Sequence, residues 1–337
     1  SWEQYMGANA SLVSKDNVYG IAVYQSYRNR NPYDVDGDSF SEIGKLNMNT
    51  FGLRAYYRPT QFSRLNVEYH TTNEFRRGGN KFDMEPFETD ITEQTKHVIN
   101  SGGLTYDLFW KEYKHKLSFY TSAQHVDRNS YYGAQQDPNA YGKTKDLTFV
   151  GGGMYVGNFD KVLFSPATFT AGLEYSHNNM HDIMAGYNRD LEQKVRIASA
   201  FFQNEWKMND FTLLAGFRLD DHNLIDNLIF SPRVNMLYKP SDAFQGRLTW
   251  STGFRAPQAY DEDLHITAVG GEGVLINLAE GLKPEKSNSF SGSVDLSGQI
   301  GHFQTNLLIE GFYTSLKDVF YLQNIGVDTQ GNTLQER

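Results

Sequence analysis

Residues 247–257 read Arg-Leu-Thr-Trp-Ser-Thr-Gly-Phe-Arg-Ala-Pro. Large apolar side chains at Leu248, Trp250 and Phe254 fall on one side of this stretch, and polar or basic side chains fall on the other. A period of two residues predicts a β-strand with one apolar and one polar face. Pro257 has no N–H to donate to a neighbouring strand, so we expect the strand to end there.

A second informative stretch follows after a gap. Residues 281–287 read Gly-Leu-Lys-Pro-Glu-Lys-Ser and predict the start of the next strand. The segment 256–284 between the two strands contains His265 and the glycine-rich run 270–273. Structureless connections of this length are uncommon in compact domains and usually serve a function. The sequence therefore predicts a functional loop here.

Similar alternation recurs along the whole chain, in about 14 segments, many of them about 11 residues or longer. Soluble strands usually have about 5–6 residues, whereas a tilted strand needs about 9–11 to cross a membrane. The spacers alternate between long and short, as the extracellular loops and periplasmic turns of outer-membrane barrels do. We predict an all-β fold, a transmembrane antiparallel β-barrel. The predicted long loops are 30–44, 77–92, 130–144, 180–192 and 256–284, and the short turns lie near Asp16, Gln61, Asp210 and Asp242.

The alternation also assigns charged side chains to one face. A lysine or arginine on the lipid face costs about 2–4 kcal/mol at the bilayer midplane, so these charges are expected to face the lumen. There they can pair with one another or meet an anionic ligand. The predicted lumen-facing charges are Arg218, Arg247, Arg255 and Glu174. A large soluble β-structure is the alternative, because its strands would alternate in the same way.

The composition excludes several classes of site. The chain of 337 residues has no cysteine, which excludes disulfides and thiolate metal sites. A net charge of -9 argues against a nucleic-acid partner. No apolar run is long enough for a transmembrane helix, and we find no catalytic motif. We expect no enzymatic activity and no cofactor apart from a structural calcium ion.

Two short motifs carry a family resemblance. They are Phe254, Arg255, Ala256 and Pro257, and then Leu282, Lys283, Pro284 and Glu285. Together they resemble the late barrel of TonB-dependent outer-membrane receptors. The resemblance implies that residues 1–337 are part of one 22-stranded barrel, without its plug domain and remaining strands. It also implies a place in the outer membrane of a Gram-negative cell, with lipid around the barrel and TonB acting through the missing plug.

The resemblance further implies import of a scarce, large nutrient, either cobalamin or a ferric siderophore. Haem is an alternative, because haem receptors of this family carry a histidine in the position that His265 occupies. The Asn-Pro-x-Leu box that follows this histidine in such receptors is replaced here by Ile-Asn-Leu-Ala at 276–279. A passive porin and a secreted β-rich adhesin or enzyme are the other hypotheses. Aromatic side chains suited to a large planar ligand are predicted at Tyr131, Tyr132, Tyr141 and Tyr187.

Two further patterns lead to weaker predictions. Asp34, Asp36 and Asp38 alternate as the carboxylates of a calcium loop do, although the rest of the EF-hand pattern is absent. The pattern favours a solvated acidic loop, and calcium binding is the alternative interpretation. Three consecutive glycines at 151–153 lie within a strand pattern, and they predict tight curvature or the close approach of a neighbouring backbone.

Overall fold

The computed structural model describes residues 2–257, 267–268, 272–277, 279, 281–327 and 333–336. Fourteen strands form one sheet, each hydrogen-bonded to its neighbours in the order β1 to β12, then β15 and β16. Every adjacent pair is antiparallel, which confirms the predicted all-β fold and strand number. No helix among the described residues is long and apolar enough to cross a membrane.

The strands have the following bounds. They are β1 (Glu3–Val13), β2 (Tyr19–Arg30), β3 (Ser41–Thr60), β4 (Ser63–Gly79), β5 (Ile91–Trp110), β6 (His115–Ala134), β7 (Tyr141–Val162), β8 (Ser165–Met184), β9 (Arg189–Met208), β10 (Phe211–His222), β11 (Ile229–Ser241), β12 (Phe244–Arg255), β13 (Thr267–Ala268), β14 (Glu272–Asn277), β15 (Glu285–Ile300), β16 (Phe303–Lys317), β17 (Gln323–Val327) and β18 (Thr333–Glu336). Single 3₁₀ turns lie at Pro86–Glu88 and Ala185–Tyr187. A second sheet has the order β13-β14-β18-β17, with β14 parallel to β18.

Twelve of the fourteen strands of the large sheet fall into two groups by length, and β1 and β2, with 11 and 12 residues, belong to neither group. Strands β3 to β9 have 17 to 22 residues, and we call them the tall wall. Strands β10 to β12 have 12 or 13 residues and β15 and β16 have 16 and 15; we call these five the low wall. A 20-residue strand tilted by about 40° rises about 50 Å, whereas 12 residues rise about 30 Å, the thickness of the hydrocarbon core. The tall wall therefore extends well beyond a bilayer.

This height corrects two predicted loops. Residues 130–144 and 180–192 are mostly strand, and only 135–140 and 185–188 connect the strands. The hydrogen-bonded ladder continues into them because polar side chains are compatible with strand pairing outside the membrane, where sequence alternation is no longer required. At the opposite edge the turns are as short as predicted, for example residues 61–62, 209–210 and 242–243.

Strand register assigns side chains to two faces. Leu173 is aligned across β9 with Ala200, and Ala200 with Leu219 on β10. This row is apolar, and Leu173 is 67% exposed. Glu174, one residue later, is aligned with Ser199, and Ser199 with Asp220. We assign the apolar face outward to lipid and the polar face inward, as the alternation predicted.

Aromatic rings gather on the outward face near the short turns. Trp110 stacks on His115, with ring centroids 5.4 Å apart. Phe211 and Tyr238 stack at 4.4 Å across β10 and β11. Tryptophan and tyrosine rings are apolar apart from one N–H or O–H group, so they suit the boundary between hydrocarbon and water. We assign this belt to one membrane interface, with the tall wall projecting from the other.

Candidate functional site

The inward face carries a polar network that joins the two walls. The Arg218 Nη2 atom donates to Glu174 at 2.9 Å, and Arg218 Nε donates to Asp220 at 2.7 Å. The Ser199 hydroxyl donates to the same Asp220 oxygen at 2.6 Å, and the Tyr120 hydroxyl donates to Glu174 at 2.7 Å. The Asp220 side chain is only 3% exposed. A carboxylate so little exposed needs its cationic partner, so the network holds this part of the wall in one arrangement.

A glycine makes the Tyr120 contact possible. Gly152 is aligned with Tyr120 on the inward face, and the phenol ring crosses over it towards Glu174. A Cβ at Gly152 would lie 2.7 Å from Tyr120 Cζ and 2.7 Å from the Leu173 carbonyl oxygen. The sequence predicts a close approach at residues 151–153. In the structure the approach is at Gly152, and it involves the Tyr120 ring as well as the Leu173 backbone.

A second buried ionic cluster lies higher on the tall wall. Asp182 accepts hydrogen bonds from Thr144 Oγ1 at 2.5 Å and Arg189 Nε at 2.9 Å, and Arg128 Nη2 lies 3.6 Å away. The side chains of Asp182 and Arg189 are 3% and 7% exposed. Sequence reasoning missed this cluster because it placed three of the four residues in loops.

The two family motifs meet at the upper end of the low wall. Arg255 and Glu285 are aligned between β12 and β15, and Arg255 Nε lies 2.9 Å from Glu285 Oε2. The Arg255 guanidinium also lies 5.1 Å from the centre of the Phe320 ring, while the Phe320 N–H donates to Glu285 at 2.5 Å. The motifs thus fasten the two ends of segment 256–284. Arg247 is exposed on the same strand, where it is aligned with Leu237 and Ser293.

Two of the four predicted ligand tyrosines have a different role. Tyr131 is fully buried, and its hydroxyl donates to the Asp137 carbonyl oxygen at 2.8 Å. Tyr187 is 5% exposed, and its hydroxyl donates to the Asp137 carboxylate at 2.5 Å. With Ala140 and Met184 they form a small core that fastens two neighbouring hairpin tips. This corrects the prediction that their ring faces are available to a ligand.

The other two tyrosines remain accessible. Tyr141 is 43% exposed and packs edge-on against Tyr131 at 4.8 Å, and Tyr132 is half-buried. The adjoining loop 80–90 is tied to the same tip, since the Gln135 N–H donates to the Asp90 carbonyl at 2.8 Å. The three tips form a continuous packed rim at the top of the tall wall. Tyr141 offers a ring face at this rim.

The aspartates predicted as calcium ligands lie close together. Carboxylate oxygens of Asp34, Asp36, Asp38 and Glu42 all lie within 4.8 Å of one another. Asp34 accepts the Gly37 N–H at 2.6 Å, which folds the loop tightly. Hard oxygen ligands in such a group are those that calcium prefers, so the calcium hypothesis stays a prediction with Glu42 as an added candidate. His265 lies outside the described residues.

The family model described as TonB dependent receptor-like, beta-barrel matches residues 6–336. The chain belongs to the TonB-dependent receptor β-barrel family. Its relatives are outer-membrane proteins of Gram-negative bacteria, and the chain is assigned to that membrane. No curated protein matches the chain.

Solved structures of two siderophore receptors and of an outer membrane transporter share the fold. The siderophore receptor PirA from Pseudomonas aeruginosa aligns with a TM-score of 0.75 and 15% identity, over 99% of this chain and 56% of that one. A variant of the ferric enterobactin receptor PfeA from Pseudomonas aeruginosa aligns at 0.71 and 14%, over 99% and 55%. The outer membrane transporter YddB from Escherichia coli aligns at 0.71 and 11%, over 99% and 49%. The chain spans about half the length of these structures.

Proposed function

We propose that the receptor containing this chain binds a ferric siderophore at its extracellular rim and imports it with energy transmitted by TonB. The family match over residues 6–336 carries the proposal. Several structures that share the fold are described as siderophore or ferric enterobactin receptors, which favours an iron chelate over cobalamin. We expect the ligand to be bound and moved without chemical change.

Two features near the top of the molecule are proposed to contact the ligand. Tyr141 presents an exposed ring at the rim, and ring faces suit the flat aromatic groups common in iron chelators. The segment 256–284 is long, and Arg255 and Glu285 hold its two ends together.

Deleting Gly270–Val274 should weaken binding of the siderophore while the barrel stays folded. Tyr141→Ala should also weaken binding, whereas Tyr113→Ala, which removes an exposed ring beside a short turn, should not.

The deciding experiment uses the full-length receptor in cells that lack other iron receptors. Uptake of radioactive iron as a siderophore complex is compared with uptake of cobalamin and of haem, each with and without TonB. We expect iron uptake that disappears without TonB. Cobalamin uptake alone would contradict the proposed ligand, and uptake that persists without TonB, with open conductance in planar bilayers, would indicate a passive porin.

Haem remains the alternative substrate because of His265. If haem is bound, His265→Ala should remove the absorption band of the bound haem. His302→Ala is the matched control, because His302 is an exposed histidine in the short turn between β15 and β16. Equal haem binding by both variants and the unmodified receptor would remove His265 from the site.

A further inference from the structure

The pairing between β11 and β12 stops below the upper ends of both strands. Their register pairs end at Arg233 and Ser251. On their other sides the pairing continues, since β10 stays paired up to the first residue of β11 and β15 up to the last residue of β12. Residues 229–232 and 252–255, all of which the structure describes, therefore face each other without being paired, and residues of both stretches line the same cavity. We call this gap the seam; it lies inside the sheet, with paired strands on both sides.

Pro232 accounts for the end of the pairing. The Thr252 hydroxyl donates to the Pro232 carbonyl oxygen at 3.5 Å, so this carbonyl faces β12. In an antiparallel strand the N and O atoms of one residue face the same neighbour. The Pro232 nitrogen therefore also faces β12, and it has no hydrogen to donate. Proline within a sheet is confined to edges and irregularities, and the upper end of β11 is such an edge.

The two-residue repeat identifies the backbone groups that lose their partners. Phe230 lies two residues above Pro232, so its N–H is directed towards β12 in the same way. If the register of the paired part continued, Phe230 would be opposite Phe254. Val234 and Trp250 lie at the same point of the repeat, four residues below, and their pairing is intact. The N–H groups of Phe230 and Phe254 are thus the seam's counterparts of hydrogen-bonded groups in the ladder.

The seam begins where the hydrocarbon ends. About 10 residues of a tilted strand cross the hydrocarbon core, and counted from Ser241 at the short turn they reach Pro232. Unpaired backbone groups are costly in hydrocarbon, whereas beyond it they bind water. The gap can therefore open and close at the extracellular end of the wall without exposing unpaired backbone to lipid.

Each side of the seam belongs to a separate paired block. On one side, β11 is paired with β10. On the other side, Arg255 and Glu285 are register partners joined by an ion pair of 2.9 Å. Across the seam the rings of His222 and Phe254 meet edge-on, with centroids 6.3 Å apart. A ring contact separates at a lower cost in free energy than a run of paired backbone groups, so the two blocks can move relative to each other.

We propose that the upper low wall opens at the seam. The upper ends of β12 and β15 move away from β11 as one block, with the hinge at the last paired residues, Arg233 and Ser251. Because Arg255 and Glu285 belong to this block, both ends of segment 256–284 move with it and the extracellular mouth widens. The movement does not depend on which nutrient is imported, whereas its use in admitting a ferric siderophore rests on the proposed function.

Amide hydrogen exchange of the full-length receptor, resolved to single residues, tests the seam without any ligand. We expect the N–H groups of Phe230 and Phe254 to exchange at least about 100-fold faster than those of Val234 and Trp250, because local opening needs little free energy where strand pairing is absent. Equal protection of the four groups would overturn the proposal.

Two prolines of β11 provide a matched pair of variants. Pro232→Val supplies the missing N–H, so it should extend the pairing and slow exchange at Phe230 and Phe254. Pro240→Val, at the irregularity beside the short turn, should leave exchange at the seam unchanged. Equal effects of the two substitutions on the seam would contradict the proposal.

A disulfide across the seam tests its use in transport. Ser231 and Gly253 would be opposite each other if the register continued, and a Cβ at Gly253 would lie 2.9 Å from the Ser287 hydroxyl, which can rotate away. Asn235 and Thr249 are opposite each other in the paired part and provide the control. Each pair is replaced by two cysteines in the full-length receptor and then oxidised.

The uptake of radioactive iron, supplied as the siderophore complex, is the measurement. Oxidation of the Ser231→Cys, Gly253→Cys receptor should stop uptake, and a reductant should restore it. The Asn235→Cys, Thr249→Cys receptor should import iron in both states. Equal uptake with the seam locked and unlocked would overturn the proposal. If the unmodified receptor imports no iron, the proposed function is wrong, and the exchange rates alone decide whether the seam opens.

Discussion

The tall wall and the low wall follow the same alternation but are stabilised differently. In the tall wall the strands continue beyond the membrane, and their upper parts bury Tyr131, Tyr187 and the Asp182–Arg189 ion pair. In the low wall the strands are only slightly longer than a membrane crossing, and the Arg255 side chain in its ion pair is 51% exposed. The upper tall wall therefore behaves as a small packed structure in water. The described residues of the low wall have no such packed upper part.

The largest expected difference concerns the two ion pairs. Asp182→Ala should lower the free energy of unfolding by about 3–5 kcal/mol, because it leaves Arg189 charged and buried without its partner. Glu285→Ala should cost at most about 1 kcal/mol, because its partner is half exposed to water. Chemical unfolding of the full-length receptor in lipid measures both values. Replacing both Asp182 and Arg189 by leucine should recover most of the loss.

Equal costs for the two single substitutions would contradict the comparison. They would show that the upper part of the tall wall does not shield Asp182 and Arg189 from solvent as the structure indicates.

The next effect concerns two glycines with different surroundings. Gly152→Ala should cost about 1–3 kcal/mol, because its Cβ would overlap the Tyr120 ring and the Leu173 carbonyl. Gly311→Ala is the matched control in the low wall, where the added methyl group meets open space. We expect a change below about 1 kcal/mol for this control. A Gly152→Ala variant as stable as the control would show that Tyr120 does not lie over this glycine.

A smaller effect is expected in the ionisation of Tyr187. Burial and then the hydrogen bond to Asp137 raise the pKa of Tyr187 above its usual value. The folded tip therefore favours the neutral phenol of Tyr187. Its contribution to the stability of the fold is fully present below the pKa of about 10 that the tyrosine has in the unfolded chain. The contribution is lost as the pH rises through the raised pKa of the folded state. The difference in tyrosinate absorbance between the receptor and Tyr187→Phe should appear only well above pH 10. Asp137→Ala should shift it to lower pH, and a difference already complete near pH 10 would contradict the tip core.

The smallest effect is calcium binding by the acidic loop between β2 and β3. If the four carboxylates bind calcium, calorimetric titration of the receptor should give a dissociation constant of about 10⁻⁴–10⁻³ M, as in extracellular modules. Asp36→Asn should abolish the heat of binding. Asp160→Asn, at an exposed carboxylate beside a short turn, is the control. The absence of any binding in the unmodified receptor would leave an acidic loop without a metal.

The sequence predicted the features that depend on local alternation. It assigned Leu173 outward and Glu174 inward, and it located the short turns, because in the membrane each residue must match lipid or lumen. Prediction from the sequence is wrong above the membrane. Both faces of the sheet contact water there, so strands form without an alternation of apolar and polar residues. For this reason the sequence predicts ligand contacts at Tyr131 and Tyr187, whereas the structure buries both side chains. Their burial depends on a neighbouring hairpin tip that is distant in sequence.

The central claim is that the tips of the tall wall and the short turns lie on opposite sides of the outer membrane. Single cysteines at Gly37, Asn139 and Asp210 in the full-length receptor test it, because the chain has no cysteine of its own. Intact cells are treated with a membrane-impermeant thiol reagent. We expect Gly37→Cys and Asn139→Cys to be labelled and Asp210→Cys to be labelled only after lysis. Labelling of Asp210→Cys in intact cells would contradict the account.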